Sequence, residues 1–184
     1  MKDIFNTESI INEAFGNKVE LFPSVNELFE LELAHLEYKS LSGEQLLERT
    51  AYIKSVDNKF SNHYLLYSNN LEKIHADRSS ATQAYFEEGQ FSTGYATHGL
   101  FPYRGKFHPQ LIKGLINILN IQKGETILDP MAGSGTTNVE AALMGINSKA
   151  IDVSPFCQFM IKTKYEALTI DLKLLDQTKI ENKK

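Results

Sequence analysis

From Pro23 to Leu36 the apolar positions Val25, Leu28, Phe29, Leu33 and Leu36 recur at helical spacing, a period that predicts an amphipathic helix. A second helix is predicted after Ser42-Gly43-Glu44-Gln45. There a serine followed three residues later by a glutamine has the form of a capping box, ahead of Leu46, Leu47 and Ile53. His63-Tyr64-Leu65-Leu66-Tyr67 fits either a strand or a buried helical turn, and 72–88 carries a weak helical pattern. Residues 1–90 therefore read as a mainly helical N-terminal segment. The character changes over 89–106, where Gly89, Gly94, Gly99, Pro102 and Gly105 punctuate a stretch holding Phe91, Tyr95, Phe101 and Tyr103. Aromatics need burial, so a structured loop is expected there rather than a flexible linker.

From His108 onward the pattern is regular. Pro109 stands at the first position of a predicted helix in which Leu111, Ile112, Leu115, Ile116, Ile118 and Leu119 form a wide apolar face. A strand over 126–129, a helix over 136–144, Gly145, a strand over 148–152 and a helix over 155–168 follow. This alternation predicts an α/β class: part of a doubly wound, Rossmann-like parallel sheet in 91–184, preceded by the mainly helical segment 1–90. No internal repeat is visible.

The two predicted strands carry the candidate chemistry. The first leads into Asp129-Pro130-Met131-Ala132-Gly133-Ser134-Gly135-Thr136-Thr137, a tight glycine turn and the start of a helix. The second ends in Asp152, 17 positions after Gly135. Ligands of open α/β sheets sit beyond the carboxyl ends of the strands, so Asp129 and Asp152 should line one crevice. Gly133 and Gly135 let the backbone turn sharply and approach a ligand. The helix opening at Thr136 points its N–H groups there, Asp152 can accept hydrogen bonds from both ribose hydroxyls, and Asp129 can face an ammonium. Three nucleotide ligands compete for such a site. A phosphate P-loop needs a lysine after the last glycine, and Thr136 stands there. A dinucleotide fingerprint needs a third glycine, and Asn138 stands there. S-adenosylmethionine (SAM) needs neither, and is the expected cofactor.

Composition narrows the picture further. A length of 184 residues leaves room for one domain, or one and a half, and a 42% hydrophobic content supports a core. No apolar run approaches the ~18 residues that span a membrane. Met1 to Asn6 lacks a signal-peptide core, so a cytoplasmic protein without a membrane partner is expected. Cys157 is the single cysteine, which excludes an intrachain disulfide framework and a cysteine metal cluster. His35, His63, His75 and His98 have no metal-ligand spacing, and no metal is expected. The net charge of −4 is uneven: residues 1–90 hold 8 basic and 15 acidic side chains, residues 91–184 hold 11 and 8. Any nucleic-acid surface is therefore expected in the second half.

Asp129 to Thr137 closely resembles D-P-F-x-G-S-G-T-T, the SAM-binding motif of DNA amino-methyltransferases, which methylate N6 of adenine or N4 of cytosine. Met131 replaces the usual phenylalanine and keeps an apolar cover. Lys106-Phe107-His108-Pro109-Gln110 resembles the family's other cofactor motif, which packs around the methionine end of SAM. Ile151-Asp152-Val153-Ser154-Pro155-Phe156 resembles the segment that holds the ribose and adenine. The resemblance covers roughly 98–168. It implies a cofactor site made of Phe107, His108, Pro109, Asp129, Pro130, Met131, Gly133, Gly135, Thr136 and Asp152.

The family's catalytic motif, Asp/Asn/Ser-Pro-Pro-aromatic, is absent. It takes hydrogen bonds from the target amine and stacks an aromatic ring on the flipped base. No two of Pro23, Pro102, Pro109, Pro130 and Pro155 are adjacent, and Leu100-Phe101-Pro102-Tyr103 lacks the polar residue and the second proline. No catalytic residue is therefore assigned. The resemblance implies the SAM-binding N-terminal part, or a split subunit, of a site-specific DNA methyltransferase of a restriction-modification system. Its partners would be DNA and a second chain or missing C-terminal region that carries the catalytic motif. An RNA base methyltransferase and a non-catalytic SAM-binding or partner-docking subunit are the alternatives. Among single residues, Cys157 is expected to be packed or half-exposed at the start of a helix with Phe156, Phe159 and Met160 inward, and His108 is either a neighbour of a helix N-cap whose ring only packs or a contact of the cofactor.

Overall fold

The computed structural model describes residues 11, 13–16, 18–65 and 95–171. Their elements in chain order are β1 (Val19–Leu21), α1 (Leu28–Ser40), α2 (Gly43–Arg49), β2 (Ile53–Val56), β3 (Lys59–Phe60), α3 (Pro109–Ile118), β4 (Thr126–Asp129), α4 (Thr136–Leu143), β5 (Asn147–Ala150) and α5 (Pro155–Ala167). The weak helical pattern at 72–88 and the tail from 172 lie outside the described residues. Of the ambiguous 63–67 stretch, residues 63–65 belong to a helical turn.

The N-terminal segment holds α1 and α2 and, beside them, a small antiparallel sheet in the order β1-β2-β3. Val19 pairs with Val56, and Val56 with Lys59. Asp57 and Asn58 make the two-residue turn of the β2–β3 hairpin, with φ of 49° and 64°. Positive φ at both central residues matches the right-handed twist of the strands, and Asp and Asn tolerate it. The capping box of α2 forms as its sequence predicts, with Gln45 Oε1 accepting from the Ser42 N–H at 3.3 Å.

α1 differs from its predicted amphipathic pattern. Leu28 is 84% exposed and Phe29 also faces outward, whereas Ala34 and Glu37 are fully buried. The Glu37 carboxylate sets this orientation. It accepts from the Thr50 hydroxyl (2.8 Å), the Ala51 N–H (2.7 Å), the Tyr52 N–H (3.1 Å) and Asn117 Nδ2 (2.6 Å). Hydrogen bonding on this scale recovers part of the cost of burying the group, and it turns the helix toward α3.

α3 is buried on two sides. Ile116 packs with Ala141 and Ile146 in an apolar core that Ile112, Ile121, Ile127 and Met144 extend. Leu115 and Leu119, predicted on the same face, are exposed. The other side is polar: Gln110, Lys113 and Asn117 lie buried one helical repeat apart. Gln110 Nε2 donates to the Ala51 carbonyl and its Oε1 accepts from the Ser24 hydroxyl. Lys113 Nζ meets His63 Nδ1 at 3.1 Å. Burial, together with the Lys113 charge, holds His63 well below its ordinary pKa, so the imidazole is neutral and its Nδ1 accepts a hydrogen bond from the lysine. Gly114 lets the Tyr52 ring in: a Cβ there would lie 2.5 Å from Tyr52 Cε2.

β4 and β5 pair in parallel, Thr126 with Asn147 through Asp129 with Ala150, and α4 links them and packs against α3 and β5. This βαβ unit gives the described residues an α/β character. The bonding pattern runs one residue past β5, where the Ile151 N–H donates to the Asp129 carbonyl. No helix among the described residues is long and apolar enough to cross a membrane.

Candidate functional site

β4 ends at Asp129, and Asp152 follows β5 by two residues, so both carboxylates stand at the carboxyl end of the parallel pair. Between them the chain turns through Gly133 and Gly135, with φ of 52° and 79°. These values are strained for any residue with a Cβ. Gly135 meets a second constraint: a Cβ would lie 2.9 Å from Ile161 Cγ1 and 3.3 Å from Ile161 Cα, on α5. α5 thus packs directly against the loop backbone. Asn138 is buried and donates to Ser148 Oγ on β5 at 3.0 Å, which joins helix to strand without a third glycine.

The loop is bound inward by its own N–H groups. Asp129 Oδ1 accepts from the Met131 N–H at 3.2 Å, the Ile151 carbonyl from Ala132 at 3.1 Å, and Asp152 Oδ2 from Gly133 at 2.8 Å. Asp152 Oδ1 accepts from the Ser154 N–H, also at 2.8 Å. These two backbone donors hold the Asp152 carboxyl below its ordinary pKa, so it is ionised at neutral pH. A carboxylate offers about four acceptor positions, so lone pairs remain for a ligand. Gly135, the N-cap of α4, has no side chain with which to cap it. The first-turn N–H groups carry the positive end of the helix dipole toward Thr136 and Thr137.

Together these groups line a cleft of about 210 Å³. Its second wall is the loop before α3, with Tyr103, Gly105, Lys106 and Phe107. Two apolar side chains stand open at its margins, Met131 at 85% exposure and Phe107 at 64%. The Tyr103 ring rests 3.8 Å from the position a Gly133 Cβ would take, and its hydroxyl lies 3.9 Å from Cys157 Sγ. A larger cavity of about 640 Å³ lies apart from both strand ends, between α2, α3 and α4. The Arg49 guanidinium at its wall is engaged by the Ile121 carbonyl and Gln122 Oε1.

Of the predicted site residues, Phe107, Asp129, Met131, Gly133, Thr136 and Asp152 line the 210 Å³ cleft. The other four stand behind or beside it. His108 is the N-cap of α3, its Nδ1 accepting from the Gln110 N–H at 3.3 Å, and Pro109 is buried at the first position of that helix. Gly135 lies under the loop against Ile161, and Pro130 is exposed in the turn after β4. Tyr103, Gly105, Lys106, Ala132, Ser134 and Thr137 also stand on the walls; Lys106, Ala132, Ser134 and Thr137 lie within the quoted motifs without being named as site residues, and Tyr103 and Gly105 lie outside them. A signal for these two existed: Gly105, with φ of 82°, sits between an aromatic and a helix-starting proline, which marks a turn folded against the site.

α5 corrects another expectation. Cys157, Met160 and Lys164 are its buried face, while Phe156 and Phe159 point outward and meet Phe101 edge-on at 6.4 and 6.0 Å. The helix turns this way because Lys164 reaches under the glycine loop. Its fully buried Nζ donates to the Ser134 carbonyl at 2.9 Å. Among the described residues no group of three His, Cys, Asp or Glu side chains is placed to hold a metal ion.

Residues 100–183, which include this βαβ unit and its glycine loop, match the family UPF0020: RMKL-like, methyltransferase domain. The chain is similar to methyltransferases, as its motifs predict. It is 41% identical over 88 residues to the Type II methyltransferase M.MjaII of Methanocaldococcus jannaschii, covering 45% of this chain and 16% of that protein. It is 35% identical over 104 residues to the Type II methyltransferase M.BsoBI of Geobacillus stearothermophilus, covering 51% of this chain and 20% of that protein. It is also 36% identical over 53 residues to a tRNA (guanine(10)-N2)-dimethyltransferase of Methanothermobacter thermautotrophicus, covering 29% of this chain and 16% of that protein. The chain thus spans a fifth or less of the curated relatives it matches.

Proposed function

We propose that this chain binds SAM in the cleft at the ends of β4 and β5, as the cofactor-binding part of a DNA amino-methyltransferase acting on adenine N6 or cytosine N4. The observation that carries the reading is the ionised Asp152. Two backbone N–H groups orient it, its free lone pairs face the cleft, and a ribose diol is the ligand group that such a carboxylate suits. Asp129 faces the methionyl ammonium, directly or through water. Phe107 and Met131 supply apolar cover, and the first turn of α4 receives the ligand's carboxylate. A phosphate-bearing cofactor fits poorly beside two carboxylates with no lysine in the loop. Bound SAM supplies the electrophilic methyl group, and the residues named here fix its position and exclude water from one side of it.

The chemistry at the base amine lies elsewhere in this reading. The 184 residues hold no Pro-Pro-aromatic tetrapeptide, so a second polypeptide segment, in another chain or C-terminal to these residues, supplies it. Two features support this. The M.MjaII and M.BsoBI relatives extend far beyond the matched region. Leu128 and Ile151 at the strand ends are more than half exposed, Val153 is 99% exposed, and β4 is paired along one edge among the described residues. Such a bare sheet favours association. The tRNA methyltransferase match supports the alternative reading, an RNA base in place of a DNA base as the substrate.

Calorimetric titration with SAM tests the site: micromolar binding is expected, and no detectable binding at millimolar SAM overturns the reading. Transfer of labelled methyl from SAM to plasmid DNA and to bulk tRNA tests the remainder. The chain alone is expected to label neither. Labelled DNA would contradict the assignment of the chemistry to another segment, and labelled tRNA would replace DNA by RNA.

A further inference from the structure

The underside of the glycine loop is held by α5 at two points three residues apart, Ile161 beneath Gly135 and Lys164 beneath Ser134. Lysine is rarely fully buried without a charged partner, yet the Lys164 ammonium is fully buried and its bond is to a neutral carbonyl. Ser134 is itself 2% exposed, and its hydroxyl has no hydrogen-bond partner. The lysine is therefore the polar tie between this loop residue and the helix beneath it. Gly133 and Ser134 of the same loop line the cleft on its upper side.

We propose that Lys164 is a positioning residue for the cofactor site: its ammonium, bonded to the Ser134 carbonyl, fixes the Gly133–Gly135 loop in the conformation that the ligand meets. The proposal rests on the SAM reading for its binding readout and on geometry alone for its loop readout. Burial and the like charge of Lys106 push the Lys164 pKa down to about 8. Among the titratable groups of the elements packed on α5, Lys106 in the loop before α3 is the one whose field reaches it. Glu140 on α4 is engaged by Tyr95 and His98. The neutral amine keeps a donor but loses the charge that strengthens the bond.

The sign of the effect separates positioning from bulk support. A buried lysine with a depressed folded-state pKa makes the unfolded chain the better proton binder above pH 8, so this residue's share of global stability rises with pH. Loop positioning falls over the same range.

The test compares wild type with Lys164→Met from pH 7 to 9, reading SAM affinity, global unfolding, and amide-exchange protection at Gly133 and Gly135. The ligand's own amine titrates in this window, and Lys164→Met is the reference that removes it. At pH 7 the variant is expected to bind SAM about tenfold more weakly, the worth of one charge-assisted bond, and to lose protection at the two glycines but not along α4. Wild-type affinity should fall toward the variant's as pH rises. A folded Lys164→Met with wild-type affinity, or pH profiles that run parallel, overturns the proposal. If the variant does not fold, protection at Gly133 and Gly135 in wild type decides it: no drop relative to α4 between pH 7 and 9 is the overturning result. Wild type that fails to bind SAM would sink the cofactor reading and leave the loop readout standing.

Discussion

Two carboxylates organise two regions of this chain by the same means and to opposite ends. Asp152 accepts from two backbone N–H groups at the rim of the cleft, and its pKa is pulled down. Glu37 accepts from four donors in the seam between α1 and α3, and its pKa is pushed up. Donor count predicts the reverse. Water decides it: desolvation of the fully buried Glu37 outweighs its bonds, while the solvated Asp152 keeps nearly the whole benefit of its own. The seam uses up its carboxylate to join secondary structures, and the loop leaves one charged and available.

The largest effect is expected where that distinction is broken in the seam. Glu37→Ala leaves the Thr50 hydroxyl and two backbone N–H groups buried without an acceptor, and takes from Asn117 Nδ2 one of its two, the Arg49 carbonyl remaining. At about 1–3 kcal/mol for each orphaned group, less than additive, the expected loss is at least about 3 kcal/mol by urea denaturation. A loss under about 1 kcal/mol would show that the seam is not held this way. Glu37→Gln isolates the charge. With the folded-state pKa raised, the Glu37 contribution is full below its ordinary value of 4.5 and is lost as pH rises through the folded-state value. The stability gap between Glu37→Gln and wild type should therefore shift in the variant's favour from pH 4 to pH 7.

How legible each region is in the sequence follows from the same contrast. The loop after β4 could be read because its demands are local: a backbone that turns at positive φ needs glycine, and strand ends place Asp129 and Asp152 without knowledge of anything distant. The seam could not. Gln110, Lys113 and Asn117 form a polar stripe at helical spacing opposite an apolar one, and such a stripe reads as the solvent face of a helix until a second element covers it. Glu37 hides in the same way, as one of several acids on α1. The hairpin at Asp57-Asn58 is a different omission. Its two-residue turn signal stands between Val56 and Lys59, but the strands it joins, four and two residues long, are too short to show an alternating pattern. Hydrophobicity predicts Phe156 and Phe159 inward, and a buried lysine takes that face of α5 instead.

A pair of glycine substitutions sharpens the comparison at intermediate size. Gly114→Ala sets a methyl 2.5 Å from the buried Tyr52 ring, and Gly135→Ala sets one 2.9 Å from Ile161 at a φ of 79°. Each is expected to lower stability by about 1–3 kcal/mol, through overpacking at the first and through backbone strain added to a clash at the second. Their effects on the ligand should part. Gly114→Ala weakens the seam and leaves SAM affinity within about twofold, whereas Gly135→Ala shifts the loop and weakens binding by about tenfold or more. Equal losses of affinity, read by titration on folded protein, would mean that the two regions are mechanically one.

Asp152→Asn is expected to change stability least and binding most selectively. The amide oxygen can still accept from one of the Gly133 and Ser154 N–H groups, but Nδ2 then turns a donor toward the other. The ribose hydroxyls lose a charged acceptor, and SAM affinity should fall about tenfold or more at pH 7 with little change in melting temperature. Acid separates this loss from a general loosening. A carboxylate with a depressed folded-state pKa contributes above its ordinary value of 3.8 and loses that contribution as pH falls through the folded-state value. Wild type should therefore lose stability on acidification that Asp152→Asn does not, the opposite slope to Glu37. Two carboxylates with opposed pH signatures, one tied to unfolding alone and one also to ligand affinity, are what a solvated site beside a sealed seam requires. If Asp152→Asn bound SAM like wild type while melting several degrees lower, Asp152 would be a second structural tie, and the ligand's anchor would have to be sought at Asp129.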